Sequence, residues 1–462
     1  MFFQRFAWVE IGGFRNVFFG NEAGWDNVEG YRNTFIGDSC GVDNGEGTFN
    51  TFVGQGSGAA SEHADFNTFI GARAGWDNNR TNETNNANRN TYVGYAAGYT
   101  NREGEDNVFI GYKADFIGTA MSGNGATNSD NVVIGASTSF GSSDGNNDGV
   151  LIGANSYCNQ NEVIGIGADN DIRSEGTISI GYSNSITTSA NFSTAIGYNI
   201  NIADGKNIAM GFQSQVGVNA PSSSQYNVAI GYEAEVDSMY NVAIGNSVDI
   251  HAGNSIGIGN GVSVTGDNSV AIGSTISLIN DNEVVLGNNA TTVIGGEVNW
   301  TATSDGRFKS NVKENVTGLD FINKLRPVTY TMDYQKRYSF SGTPIPDDIK
   351  IALVQKDKII YSGFIAQEVE TAANEVGYEF SGVKKPQSED DSYGLRYAEF
   401  VIPLVKSTQE LYKKVKEQEE TINQQSQLLS QYKSALENLS EKVDQLENAM
   451  DNENHKLLAI KK

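Results

Sequence analysis

Apolar residues in the first two thirds of the chain come in short words, not in helical stripes. The word Asn-x-apolar-apolar-Gly recurs at Asn16-Val-Phe-Phe-Gly20, Asn33-Thr-Phe-Ile-Gly37, Asn50-Thr-Phe-Val-Gly54, Asn67-Thr-Phe-Ile-Gly71, Asn90-Thr-Tyr-Val-Gly94, Asn107-Val-Phe-Ile-Gly111 and Asn131-Val-Val-Ile-Gly135. Altered forms continue through Gly153, Gly167, Gly181, Gly197, Gly211, Gly231, Gly245, Gly259, Gly273 and Gly287. The first three intervals are 17 residues (Gly20 to Gly71) and the last four are 14 (Gly231 to Gly287), so two repeat families are fused. Such periods are too short for a helical pair, and β-branched or aromatic words bounded by Asn and Gly predict a strand followed by a turn. One strand cannot bury its apolar face alone; coils stacked at about 4.8 Å bury it against their neighbours. Some 17 coils make a β-solenoid of roughly 80 Å. Glycine after each strand suits a positive φ or a close backbone approach, and stacked Asn side chains can form a hydrogen-bonded ladder.

Alternation along each strand puts Val228 and Ile230 on one face and Ala229 on the other, whereas Phe18, Phe35, Phe52, Phe69, Tyr92 and Phe109 hold the middle position in the first family. A solenoid interior takes one face only. The other apolar row then needs cover, most simply from further copies of the chain, which predicts an oligomer; the alternative is a wider single-chain coil with an insertion over that row.

Composition narrows the function classes. With 56 acidic against 32 basic residues the formal charge is −24, which disfavours nucleic acid as a partner. Cys40 and Cys158, in unlike repeats, make no disulfide framework and are expected as small buried apolar residues; His63, His251 and His455 lack metal-ligand spacing, so neither metal nor cofactor is expected. No stretch approaches the roughly 20 apolar residues that span a bilayer, and the opening Met1 to Phe14 lacks the pattern of a signal peptide. Membrane insertion is therefore not expected, and a virion protein or a chain whose export signal is missing both remain open.

The later words NVAIGYEAEV, NVAIGNSVDI and NSVAIGSTISL resemble the 14-residue head repeats of YadA-like trimeric adhesins, and the earlier NTFIGxxAG resembles repeats found upstream of tail-spike chaperones. The resemblance implies a trimeric parallel β-roll. After Gly295 the text changes. Ser304-Asp305-Gly306-Arg307-Phe308-Lys309 resembles the SDxRxK signature that opens the intramolecular chaperone of endosialidase-type tail spikes. In the same order follow Gly318-Leu319 to Pro327-Val328-Thr329-Tyr330, the GxIAQEV word from Gly363 to Val369, and a final YxxxxxxLVKxxQEL word from Tyr397 to Leu411.

This second resemblance implies autoproteolysis between Thr303 and Ser304, with Ser304 as nucleophile and Lys309 as its base. Arg307 would lower the lysine pKa or stabilise the oxyanion, and Asp305 would orient the lysine or the peptide. The chemistry is sound in itself, because a serine hydroxyl reaches the preceding carbonyl through a five-membered ring and leaves an ester open to water. On their own, Ser-Asp-Gly is also an ordinary turn and the neighbouring Arg and Lys ordinary solvated charges.

From Leu411 a 4-3 spacing runs through Val415, Gln418, Ile422, Gln425, Leu429, Tyr432, Leu436, Leu439, Val443, Leu446 and Met450, bounded by Pro403 upstream and the polar run Asp451 to Asn454 downstream. It predicts a coiled coil whose strand number the seam does not fix. The expected architecture is thus mainly β: a solenoid over 1–298, a small α+β chaperone domain over 299–403, a coiled-coil trimerisation helix over 404–450 and a polar tail over 451–462.

The function expected is a homotrimeric tail fibre, tail spike or surface stalk of the virion or cell surface, with a self-removing chaperone and a rod that meets a host-surface glycan or receptor. Alternatives are a trimeric autotransporter adhesin, whose chains end in membrane strands, and a glycan-degrading spike using paired carboxylates among residues such as Asp38, Glu105 and Asp115.

Overall fold

The computed structural model describes residues 13–80, 86–116, 128–141, 147–220, 223–340, 345, 350–388 and 391–460, the side chains of 454–460 excepted. The opening residues 1–12 weighed as a leader, the His455 side chain and the last two lysines lie outside the described residues. Two compact units divide the chain, Met1–Ile294 and Gly295–Lys462.

The first unit is a parallel β-solenoid. Among the described residues its main sheet has 17 strands, from Val17–Phe19 to Val284–Leu286, each paired in register with the strand one coil away. Phe35 lies opposite Phe52, Phe52 opposite Phe69, and Ala229 opposite Ala243. The middle residue of each word faces inward: Phe35, Phe52, Phe69, Tyr92, Phe109, Ala229 and Ala243 are all fully buried. Ile70, Ile110, Ile208 and Ile272, on the opposite face, are exposed. That face is the apolar row left without cover by the chain's own alternation.

The two repeat families solve one volume problem in two ways. In 17-residue coils the strand supplies a ring, and the rings of Phe35, Phe52, Phe69 and Tyr92 stack at 4.8, 4.7 and 4.7 Å. Each buried ring contributes roughly 2–3 kcal/mol. The residue facing it must be glycine: a Cβ on Gly41 would lie 2.6 Å from the Phe35 ring, and one on Gly58 2.4 Å from Phe52. In the later coils the strand supplies a small residue such as Ala229, Ala243 or Ala271, and the filling comes from a second sheet of 11 two-residue strands, which begins at Asp115–Phe116 in longer coils and runs to Ser277–Leu278. Its inward residues include Ile202, Val216, Val236 and Ile250, all buried. The expectation of one strand and a turn per coil is corrected here: from Asp115 onward the coils carry two strands, the second supplying a wall opposite the first. Cys40 and Cys158 are both buried core residues, and burial pushes each thiol up to about 12.

Two polar devices hold the coils in register. In the early words each Asn accepts, through Oδ1, the backbone N–H of the Asn one coil further on: Asn33 from Asn50 at 2.8 Å, Asn50 from Asn67 at 2.9 Å, Asn67 from Asn90 at 2.8 Å. In later coils serine takes over, with Ser255 Oγ accepting from Ser269 N at 3.1 Å. The strand-ending glycines form the second ladder. Gly231, Gly245 and Gly259 have φ of 147°, 139° and 142°, and a Cβ on each would lie within 1.7 Å of the next glycine's carbonyl oxygen. Only a residue without a side chain fits that approach.

The second unit is small and α+β. Short helices Leu319–Ile322 and Ala366–Glu375 pack with the antiparallel pairs Val328–Tyr330 with Tyr361–Gly363 and Val383–Lys384 with Gly394–Leu395. Its core is Phe321, Val369, Ala372, Ala373 and Phe400. A 60-residue helix, Val401–Ile460, follows. Pro403 falls inside its first turn, where a missing N–H leaves no hydrogen bond unmade, so it does not bound the helix from outside. The helix also runs through the polar run at Asp451, whose acidic and amide residues weaken a helix without stopping it. Its seam residues Ile422, Leu429, Leu436, Leu439 and Leu446 are exposed in the single chain. Among the described residues no helix is long and apolar enough to cross a membrane.

Candidate functional site

The hexamer at Ser304 folds as one tight turn. Asp305 caps a 3-10 helix over Gly306–Phe308 by accepting the Arg307 N–H at 2.9 Å, and Lys309 closes it by donating its N–H to Gly306 O. That single turn brings residues five apart in sequence together: Lys309 Nζ donates to Ser304 Oγ at 2.7 Å. Serine and lysine thus stand in direct hydrogen-bond contact.

Arg307 pairs with Asp305. Its Nε and Nη2 donate to Asp305 Oδ2 at 3.0 and 2.6 Å. The guanidinium holds the Asp305 carboxyl below the ordinary carboxylate range, and Asp305 in turn raises the Arg307 pKa. The pair stiffens the turn, and the Asp305 carboxylate serves the cap and Arg307. Thr303, Ser304, Arg307, Phe308 and Lys309 are exposed in the single chain, as are the apolar Trp300 and Val312 that flank them.

The family words downstream meet in space. A Cβ on Gly363, which opens the GFIAQEV word, would lie 2.3 Å from Tyr397 Oη, and the same hydroxyl accepts the Phe364 N–H at 3.1 Å. Glu410, in the last word, accepts the Leu319 N–H at 2.8 Å and leaves no room for a side chain on Gly318. The long helix is therefore fastened to the unit's first helix by a carboxylate placed at that helix's N-terminal end. Sequence reasoning quoted Gly318, Gly363, Tyr397 and Glu410 without roles. The signal for them was glycine standing where nothing in a turn demanded it.

Among the described residues no group of three His, Cys, Asp or Glu side chains is arranged to hold a metal ion. His251 stands between Asp237 and Asp249, at 3.2 and 3.0 Å, and His63 faces Glu46 at 3.4 Å. The three carboxylates named for glycan cleavage sit apart in function. Asp38 is exposed and accepts from Asn21 Nδ2, Glu105 pairs with Arg89, and Asp115 is buried and accepts from Thr100 N and Oγ1 at 3.2 Å.

Fold and site define a repetitive β-solenoid protein closed by a small α+β domain and a long helix, with a Ser–Lys turn opening that domain. Residues 304–378 match the family model described as the chaperone of endosialidase, a match that begins at Ser304 itself. No curated protein matches the chain. Solenoid and chaperone domain together fit a phage tail-spike-like protein.

Proposed function

We propose that this chain is a homotrimeric tail fibre or tail spike whose C-terminal domain assembles the trimer and then releases itself by cutting before Ser304. The observation that carries the reading is the 2.7 Å contact of Lys309 Nζ with Ser304 Oγ at the first residue of the chaperone match.

The neutral Lys309 amine takes the proton of Ser304 Oγ, which attacks the Thr303 carbonyl carbon. The Thr303–Ser304 C–N bond breaks as the nitrogen takes up a proton, and the acyl group passes to Oγ as an ester. Water then hydrolyses the ester, giving a Thr303 carboxylate and a free Ser304 amine. A lysine accepts such a proton efficiently only where burial or a nearby cation favours its neutral form. The turn and its apolar neighbours, exposed in one chain, become covered only in the assembled trimer, so that cutting follows correct assembly.

Trimer formation is supported by three features: the uncovered apolar row of the solenoid, the exposed 4-3 seam of the long helix, and the likeness of the 14-residue words to YadA-like head repeats. Interchain β-contacts are slow to find register, and the helices would raise the effective concentration of the strands. Removing the chaperone afterwards leaves the rod unable to refold once unfolded, which traps it kinetically.

Mass spectrometry of the expressed chain beside Ser304→Ala and Lys309→Ala tests this. Two fragments dividing between Thr303 and Ser304 in the wild type, with both variants intact, are expected. An intact wild-type trimer, or cleavage in both variants, overturns it.

A further inference from the structure

The first half of the solenoid carries a groove that self-cleavage does not use. Its volume is about 430 Å³, inside the range of roughly 300–1,000 Å³ typical of small-ligand sites. It opens at the corner after the strands Thr68–Ile70, Thr91–Val93 and Val108–Ile110. The second residue after each strand glycine adopts the left-handed conformation there, with φ of 59° at Arg73, 52° at Ala96 and 53° at Lys113. Arg73 and Lys113 occupy this corner two coils apart, a separation of roughly 10 Å. Ala96 between them is too small to fill the space.

Tyr95 and Tyr99 line the groove, each backed by a second ring: Tyr95 stacks on Tyr112 at 5.5 Å and Tyr99 on Trp76 at 6.1 Å. Arg73 lies over the Trp76 ring at 5.7 Å and Lys113 over Tyr112 at 5.4 Å. Among the described residues neither cation forms an ion pair, although the chain carries a net charge of −24. The carboxyl lining the groove, Asp115, is buried and already bonded to Thr100, and burial pushes it up to about 7. The site is therefore locally cationic on an acidic protein, with aromatic faces beside the charges.

We propose that this groove binds an acidic saccharide, with Arg73 and Lys113 meeting its carboxylate or sulfate groups and Tyr95 and Tyr99 the C–H faces of its rings. Unpaired Arg and Lys favour anions, Arg in bidentate fashion. Aromatic side chains with a hydroxyl offer an apolar face and a polar tip to a hydroxylated ring. Among the described residues Asp115 is the one carboxyl lining the groove, whereas glycoside hydrolysis uses two, so the inference is one of binding. The inference goes beyond self-processing and does not depend on it.

Calorimetric titration of the full chain with an oligogalacturonate, a sulfated oligosaccharide, a neutral oligogalactoside and poly-glutamate tests it. Saturable, salt-sensitive binding of the uronate, the sulfated sugar or both is expected, which also tells carboxylate from sulfate. Arg73→Gln/Lys113→Gln is expected to weaken it at least tenfold with an unchanged unfolding midpoint, as is Tyr95→Ala. Should the double variant misfold, the single variants of these exposed side chains carry the comparison. Absence of binding to both acidic sugars, equal binding of poly-glutamate or the neutral sugar, or wild-type affinity in the folded variants would overturn the proposal.

Discussion

Replacing Gly245 by alanine, beside the same change at Gly261, separates close coil approach from mere left-handed strain. Gly245 has φ of 139°, and its added Cβ would stand 1.7 Å from the Gly259 carbonyl oxygen. Restoring an ordinary contact of 3.4 Å means opening the stack locally by up to about 1.7 Å against a coil spacing of about 4.8 Å. Bonds such as Val242 N–H to Ser255 O, now 3.0 Å, would be lost. Two such bonds at about 1 kcal/mol each, with about 1–3 kcal/mol for a backbone region nearly exclusive to glycine, give roughly 3–5 kcal/mol. Gly261 has φ of 61° and nothing within 4 Å of its added Cβ, and the same corner in neighbouring coils holds Ser247 and Thr275 at φ of 48° and 54°. Its alanine variant should cost only about 1–2 kcal/mol. Hydrogen exchange across the coils at 242–260, with urea unfolding followed by circular dichroism, reads both. Equal losses in the two variants would refute the account of the glycine ladder.

Asp115→Asn is expected to make the stability of its coils less dependent on pH. The folded carboxyl is raised to about 7 from 3.8, so its contribution is fully present below about pH 4 and is lost as pH rises through 7. The variant keeps an acceptor for Thr100, should match the wild type at pH 4, and should exceed it at pH 8 by on the order of 2–4 kcal/mol. Glu62, raised to about 7 by burial and by Asp43, acts in the same window in both proteins and so drops out of the difference, which unfolding at the two pH values measures. Glu410→Ala strips the cap from the Leu319 N–H and should destabilise the junction of the short and long helices by about 1–2 kcal/mol, seen as faster hydrogen exchange over residues 319–325.

Much of the solenoid was legible because each coil repeats its instructions. Asn before the strand and Gly after it name their own roles, since one offers an acceptor to the next coil and the other a backbone without a Cβ. The left-handed corners were not legible: Arg32, Phe66, Asp106, Tyr240 and Thr275 all have φ between 54° and 61°, and nothing in their chemistry announces it. Stacking imposes that conformation, because a residue that leaves it breaks the ladder on both sides. The second sheet was hidden for a related reason. Val236, Ile250 and Val264 recur five residues after the strand glycine, but their strands are two residues long and carry no alternation of their own. At the Ser304 turn the spacing of five residues brings Ser304 and Lys309 into contact, whereas the partnership of Arg307 with Asp305 depends on side-chain reach that spacing alone does not fix.

The central claim is that the outward apolar row and the helical seam find burial only among copies of this chain. Exposure of 42 % at Ile70, 41 % at Ile208 and 71 % at Leu429 in the single chain is what association would remove. Sedimentation equilibrium of the native protein tests this most directly. The account predicts the mass of three chains, whole or cut before Ser304, and a well-folded single chain at native conditions would contradict it.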